Sequence, residues 1–197
     1  MQKKQNKLVL LYVVIATLGR LIPHMPNFTP TTNLCVFAGK NLNKGLAILL
    51  TLVAIFLSDI GLSYIYGYKI LGLWSLFTYS GFVAMILFGS WSKNKNLPIV
   101  FTIIFSELGF WAWTNFGSWL INPMYSKNTI GLMNCCIAGL PFLRNALMGD
   151  MVWMVVIFVS FAWVKKTSFL VINTSSWRVL GPRDKHVLAQ AGIKIKI

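Results

Sequence analysis

The stretch "RLIPHMPNFTPTTNLCVFAGK", residues 20–40, decides how many times this chain crosses a membrane. It follows the apolar run "LVLLYVVIATLG" (residues 8–19) and opens with an arginine, a histidine and three prolines in eleven residues. Its second half, "TTNLCVFAGK" (31–40), is only weakly apolar. Taken alone, that half would not be read as a membrane span.

The rest of the chain supplies the context. Of 197 residues, 56% are hydrophobic and only 11% charged, with a mean hydropathy of +0.68. A soluble domain of this size carries about 25% charged residues. Lipid must therefore be the solvent for most of the surface, and the class is an all-α, multi-pass integral membrane protein. Runs long enough to cross a bilayer occupy 8–23, 45–66, 70–91, 97–121 and 141–164. Segment 127–139 reads as an interfacial helix that leads through Pro141 into the last span. Residues 166–197 read as a basic cytoplasmic tail. The first run has no small-x-small cleavage site and is expected to stay as a span rather than leave as a signal peptide.

Charge decides the status of 31–40. If it crosses, Lys and Arg number 14 inside and 2 outside; if it does not, they number 5 and 11. Cytoplasmic loops carry the excess of Lys and Arg, so the first arrangement is preferred. The expected topology is six transmembrane helices, the second short, with both termini cytoplasmic. The net charge of +14 thus orients the chain, and a nucleic-acid partner is not expected. The lipid bilayer is the expected surrounding. A span as short and polar as the second is tolerated only inside protein or beside a watery cavity.

Few ionisable groups fall within the spans, which makes each a functional candidate. Asp59 lies 14 residues into its span, roughly 21 Å along it at 1.5 Å per residue. Glu107 falls near the midplane of the fifth span, below Trp111, Thr114 and Asn115. Arg144 enters the last span and Asp150 lies deeper. Arg20 and His24, four residues apart, would share a helix face. These groups gather in the outer half, where they suggest an aromatic-lined pocket open to the outside. Asp59 with Arg144 would make a natural ion pair between helices. Arg20, Glu107 and Asp150 are candidates for polar or coupling roles. Three cysteines, Cys35, Cys135 and Cys136, form neither a CxxC pair nor a disulfide framework. Neither HExxH, GxSxG, Walker A nor GxGxxG is present, and no enzymatic activity is expected.

Three blocks carry a resemblance: "PHMPNFTPTTNLCVFAG" (23–39), "TNFGSWL" (114–120) and "GLMNCCIAGLPFLRNALMGD" (131–150). They resemble signature blocks of a family of small bacterial membrane proteins without assigned activity, over residues 20–165. In size and layout that family is similar to the substrate-binding S components of energy-coupling-factor transporters, the solitary cobalamin-type ones being nearest. The resemblance implies an S-component-like bundle in the bacterial inner membrane that captures a vitamin-like small molecule from outside. A transmembrane coupling protein with ATPase subunits would then drive release. It places His24, Met25 and Asn27 in a rim or lid over the pocket, with Asp59, Tyr79, Asn115 and Arg144 as further substrate contacts. No covalent cofactor is implied, and the bound vitamin could be cobalamin. A corrinoid would need a cobalt ligand, for which His24, Met25 and Cys35 are the nearby donors. The Ala-x-x-x-Ala docking pattern common on the first S-component span is absent from "LVLLYVVIATLG". The alternative reading is a structural or assembly membrane protein that transports nothing.

Overall fold

A computed structural model describes residues 2–67 and 69–179. All regular structure among the described residues is helical: α1 (Gln2–Leu21), α2 (Thr31–Asn41), α3 (Lys44–Tyr66), α4 (Leu73–Asn94), α5 (Ile99–Ile121) and α6 (Thr129–Val179). The chain divides into two compact units, residues 1–154 and 155–197. The first holds α1 to α5, the opening of α6 and every side-chain contact described below. The described part of the second, Val155–Val179, is helical.

Helix ends follow local chemistry. Asn43 caps α3 by accepting the Gly45 N–H at 3.0 Å. The Ser75 hydroxyl accepts the Gly72 N–H at the start of α4, also at 3.0 Å. Pro30 and Pro98 precede α2 and α5, where a missing N–H costs nothing. The expected break at Pro141 is absent, because α6 runs through it without interruption. A proline removes one backbone bond, and an apolar helix in lipid tolerates that loss. Segment 127–139 is therefore not a separate helix: from Thr129 it belongs to α6. Of the expected tail, 166–179 is helical, and 180–197 lies outside the described residues.

Four helices are long and apolar enough to cross a membrane: α3, α4, α5 and the Thr129–Ile157 part of α6. The apolar part of α1, Tyr12–Leu21, is shorter. At 11 residues, α2 is about 16 Å long, roughly half of a 30 Å hydrocarbon core.

Polar pairs set the directions of the helices. The Tyr12 hydroxyl meets Thr51 Oγ1 at 2.8 Å, and Arg20 Nη2 donates to Asp59 Oδ1 at 2.8 Å. Contacts that advance together along both helices make α1 and α3 parallel. The segment between them, 22–43, must then traverse the bundle. It does so half as loop and half as α2. Lys40 Nζ donates to the Leu97 carbonyl at 2.9 Å, which sets the end of α2 beside the α4–α5 turn. Lys40, Lys44, Lys93 and Lys95 consequently gather at one end.

The loop 22–30 is exposed as far as Asn27 and packs inward at its end. Pro30 is fully buried, and a Cβ on Gly19 would come within 2.5 Å of its Cγ. A Cβ on Gly149 would lie 3.0 Å from the Phe28 Cα. Nearly all of α2 is buried, including Thr31, Thr32, Asn33, Cys35 and Val36.

The contact of α2 with α4 depends on two glycines. A Cβ on Gly39 would collide with the Ile86 carbonyl, and one on Gly89 would lie 2.9 Å from the Val36 carbonyl. Backbone cannot yield as a flexible side chain can. Gly39→Ala and Gly89→Ala are each expected to cost about 1–3 kcal/mol, as overpacking does. Gly109→Ala, with nothing within 4 Å, is the neutral control. Unfolding midpoints in detergent check this, and equal midpoints for all three variants would refute the close packing.

Candidate functional site

Because α2 is short, its first turn lies at the depth of Glu107, midway along α5. Thr32 Oγ1 donates to Glu107 Oε2 at 2.6 Å. The neighbouring Asn33 Nδ2 donates to Asp150 Oδ1 at 2.9 Å and to the Asp150 carbonyl at 3.1 Å. Glu107 is 6% and Asp150 1% exposed. The positive end of the α2 dipole and its free N–H groups face this region and favour negative charge there.

Beyond the α2 N-terminus a cavity of about 320 Å³ opens. Its α5 wall is Glu107, Trp111, Thr114, Asn115 and Ser118, one helical face at spacings of four, three, one and three. Facing it on α6 are Cys135, Ala138, Gly139 and Phe142. Asn27, from the inward loop, and Tyr125, from the α5–α6 connection, complete the lining. Asn27 adopts a left-handed conformation (φ 65°), which asparagine accepts more readily than most residues. Asn115 Nδ2 donates to the Trp111 carbonyl at 2.8 Å, and the Cys135 thiol approaches the Asn115 carbonyl at 3.4 Å. Loss of water, followed by the neighbouring Cys135, raises the Tyr125 phenol above its ordinary pKa. It is therefore a protonated donor at neutral pH. The Trp111 indole N–H is buried without a partner.

A second groove, also of about 320 Å³, lies between α4 and α5. Trp74, Phe77, Thr78 and Ile121 line it, and it shares Thr114 and Ser118 with the first cavity. It contains no charged residue.

The sequence-expected residues therefore divide. Asn27, Glu107 and Asn115 line the cavity. Asp150 is buried beneath it. Asp59, Tyr79 and Arg20 form a separate cluster: Tyr79 Oη donates to Asp59 Oδ2 at 2.7 Å, opposite the Arg20 bond. The expected Asp59–Arg144 pair is not formed, since Asp59 is held by Arg20 and Tyr79 while Arg144 is exposed. His24 does not share a helix face with Arg20, because α1 ends at Leu21. His24 and Met25 are exposed, and neither lines the cavity; His24 Nδ1 lies 2.7 Å from the Met25 carbonyl. Cys35 is wholly buried within α2. None of these three alternative donors lines the cavity, and no group of three or more His, Cys, Asp or Glu among the described residues could hold a metal ion.

Thr32, Asn33, Ser118, Tyr125, Cys135 and Phe142 were not singled out from the sequence. The periodicity of 107, 111, 114, 115 and 118 was the available signal for the α5 wall. The α6 wall had none, because its small and apolar residues look like ordinary lipid-facing helix.

The Arg20–Asp59 bridge is part-buried, with side chains 16% and 5% exposed. Removing one partner of a buried pair strands the other, at about 3–5 kcal/mol. Arg20→Gln is expected to approach that loss, and exposed Arg144→Gln to fall within about 0.5 kcal/mol of wild type. Denaturant unfolding in micelles compares them, and equal losses would contradict the pairing.

The chain belongs to a family of unknown function (DUF6580), whose profile matches residues 1–178. The match extends past the 20–165 covered by the motif resemblance, to include α1 and most of the described α6. No curated protein and no solved structure matches the chain.

Proposed function

We propose that the protein is a six-pass membrane protein that captures a small molecule in the cavity beyond the α2 N-terminus. The observation that carries this reading is the position of that cavity. It lies at the end of the bundle opposite Lys40, Lys44, Lys93 and Lys95, with a buried carboxylate at its base. By the positive-inside rule the lysine end is cytoplasmic and the cavity faces outward. Both termini are then cytoplasmic, and in a bacterial cell the protein sits in the inner membrane.

On this reading the protein would act in the manner of a substrate-binding S component, and the role proposed is capture for uptake rather than catalysis. A volume of 320 Å³ is at the lower end of the range of about 300–1,000 Å³ for small-molecule sites. A compact vitamin or metabolite would fill that volume, and a corrinoid would have to extend beyond it. Without a nucleotide-binding loop in its sequence, the chain would rely on a coupling partner or on a gradient for accumulation. The missing Ala-x-x-x-Ala pattern means that a coupling protein would dock on a different surface from the usual one.

The cluster of Arg20, Asp59 and Tyr79 favours a structural role for those residues, because they bond one another and do not line the cavity. The structural alternative for the whole protein differs in its outcome: no small molecule would stabilise it.

Thermal unfolding of the detergent-purified protein across a library of vitamins and small metabolites tests the proposal. A true ligand at 100 times its Kd adds about 2.7 kcal/mol of stability. Ala138→Phe, which fills the cavity from α6, should abolish that shift and leave the unliganded midpoint within a few degrees. If no compound raises the midpoint, and native mass spectrometry finds no co-purifying molecule, the capture reading is wrong.

A further inference from the structure

The cavity's lining points to its ligand's charge: we infer that the site takes a small organic cation, a quaternary or protonated amine, with Glu107 as its counter-ion. This rests on the reading of the cavity as a small-molecule site and goes one step further.

Three observations carry it. First, the lining contains one carboxylate, Glu107, and no Lys, Arg or His. Arg20 does not line the cavity: it is held by Asp59 on the α1–α3 side and lies over the Phe82 ring at 6.0 Å. Only the neutral Thr32 hydroxyl donates to Glu107 among the described residues. A second carboxylate, Asp150, is bonded to the adjacent Asn33, and its Oδ2 has no partner. An anionic ligand would meet Glu107 with no Lys, Arg or His in the lining to pair with it, and the α2 N-terminus that faces this region already serves the protein's own carboxyl groups.

Second, four aromatic side chains stand among the polar and small residues of the remaining walls. Phe110, Trp111, Tyr125 and Phe142 all line the cavity. Ring faces attract a cation within about 6 Å, by about 0.5–2 kcal/mol each according to desolvation. They substitute for water around a quaternary ammonium, which has no N–H to donate.

Third, a metal ion fits poorly. No cluster of three or more ligating side chains exists among the described residues, whereas hard cations need about six or more oxygens. An organic cation needs one carboxylate and apolar walls. Asn27, Asn115 and Ser118 would orient a short polar tail, and the free Trp111 N–H would donate to an acceptor on it.

The probes are tetramethylammonium, choline and phenethylammonium, with dimethylbutanol (the uncharged carbon isostere of choline) and propionate as controls. Each is titrated into the detergent-purified full chain, with tryptophan fluorescence and unfolding midpoint as readouts. At least one cation should bind saturably, with dimethylbutanol and propionate at least tenfold weaker. Glu107→Gln, which keeps an acceptor for Thr32, should weaken cation binding at least tenfold. Arg144→Gln, exposed and outside the lining, should leave it within about threefold. Should Glu107→Gln fail to fold, Trp111→Leu is expected to lose affinity for the quaternary probes by several-fold and serves in its place.

Tighter saturable binding of dimethylbutanol, propionate or a neutral or anionic library compound, competed by nothing cationic, overturns the charge assignment and leaves the capture reading standing. No saturable response to any of the three cations also overturns it. If the library is silent as well, the capture reading fails with it.

Discussion

A helix of 11 residues ends about halfway through a bilayer, where lipid cannot satisfy its first free N–H groups. Most of this bundle's arrangement answers that problem. The α2 helix is buried along nearly its whole length, against α4 at Gly39 and Gly89. Its first turn carries Thr32 and Asn33, which bond to Glu107 and Asp150 on two other helices. Those carboxylates would be costly in apolar surroundings, and a helix N-terminus is a favourable place for them. Each half of the arrangement stabilises the other. The length that α2 lacks is the space that the cavity occupies.

The other side of the bundle solves a different problem with the same economy of charge. α1 and α3 are parallel neighbours, fastened by Tyr12 to Thr51, Thr17 to the Ala54 carbonyl, and Arg20 to Asp59. Tyr79 brings in α4 through the second Asp59 oxygen. The cluster also reaches the cavity mechanically, since Arg20 lies over Phe82, Phe82 stacks on Phe110 at 4.7 Å, and Phe110 lines the cavity. Such a chain of rings fixes the angle of one cavity wall without placing the arginine in it.

How much of this was legible in the sequence depended on what each signal measures. Charge asymmetry measures which end a loop lies at, and it called for a second span at 31–40; the structure has an 11-residue helix there, outside the four that are long and apolar enough to cross. Depth along a helix could be counted, which put Glu107 near the midplane of its span with Asn115 above it, whereas Asn27 came from the motif resemblance alone. Rotation about the helix could not be fixed for single ionisable groups. That is why Asp59 was paired with Arg144 rather than with Arg20, which lay near a helix end and looked like a snorkelling residue. Helical spacing over 107–118 did contain the rotational information, spread over five residues. Pro141 was over-weighted: its local cost is one backbone bond, and the apolar helix on both sides outweighs it. His24 was assigned to a helix face that ends three residues before it.

The loop 22–30 illustrates how a lid differs from a wall. A lid must exchange between two positions, so it needs a hinge and few buried contacts. This loop has three prolines, which restrict the unfolded and partly open chain as well as the folded one. Its inner half is fixed at Phe28 against Gly149 and at Pro30 against Gly19. Asn27, which lines the cavity, stands directly before the first of those anchors. Only the outer part, with His24 and Met25 exposed, is free of such packing. Opening the cavity at Asn27 would require withdrawing a buried proline from between α1 and α2, whereas the α5–α6 connection at Tyr125 covers it with mostly exposed residues. The inner end of the loop is therefore anchored by Phe28 and Pro30, and that anchoring fixes Asn27, which stands just before them, as part of the cavity wall.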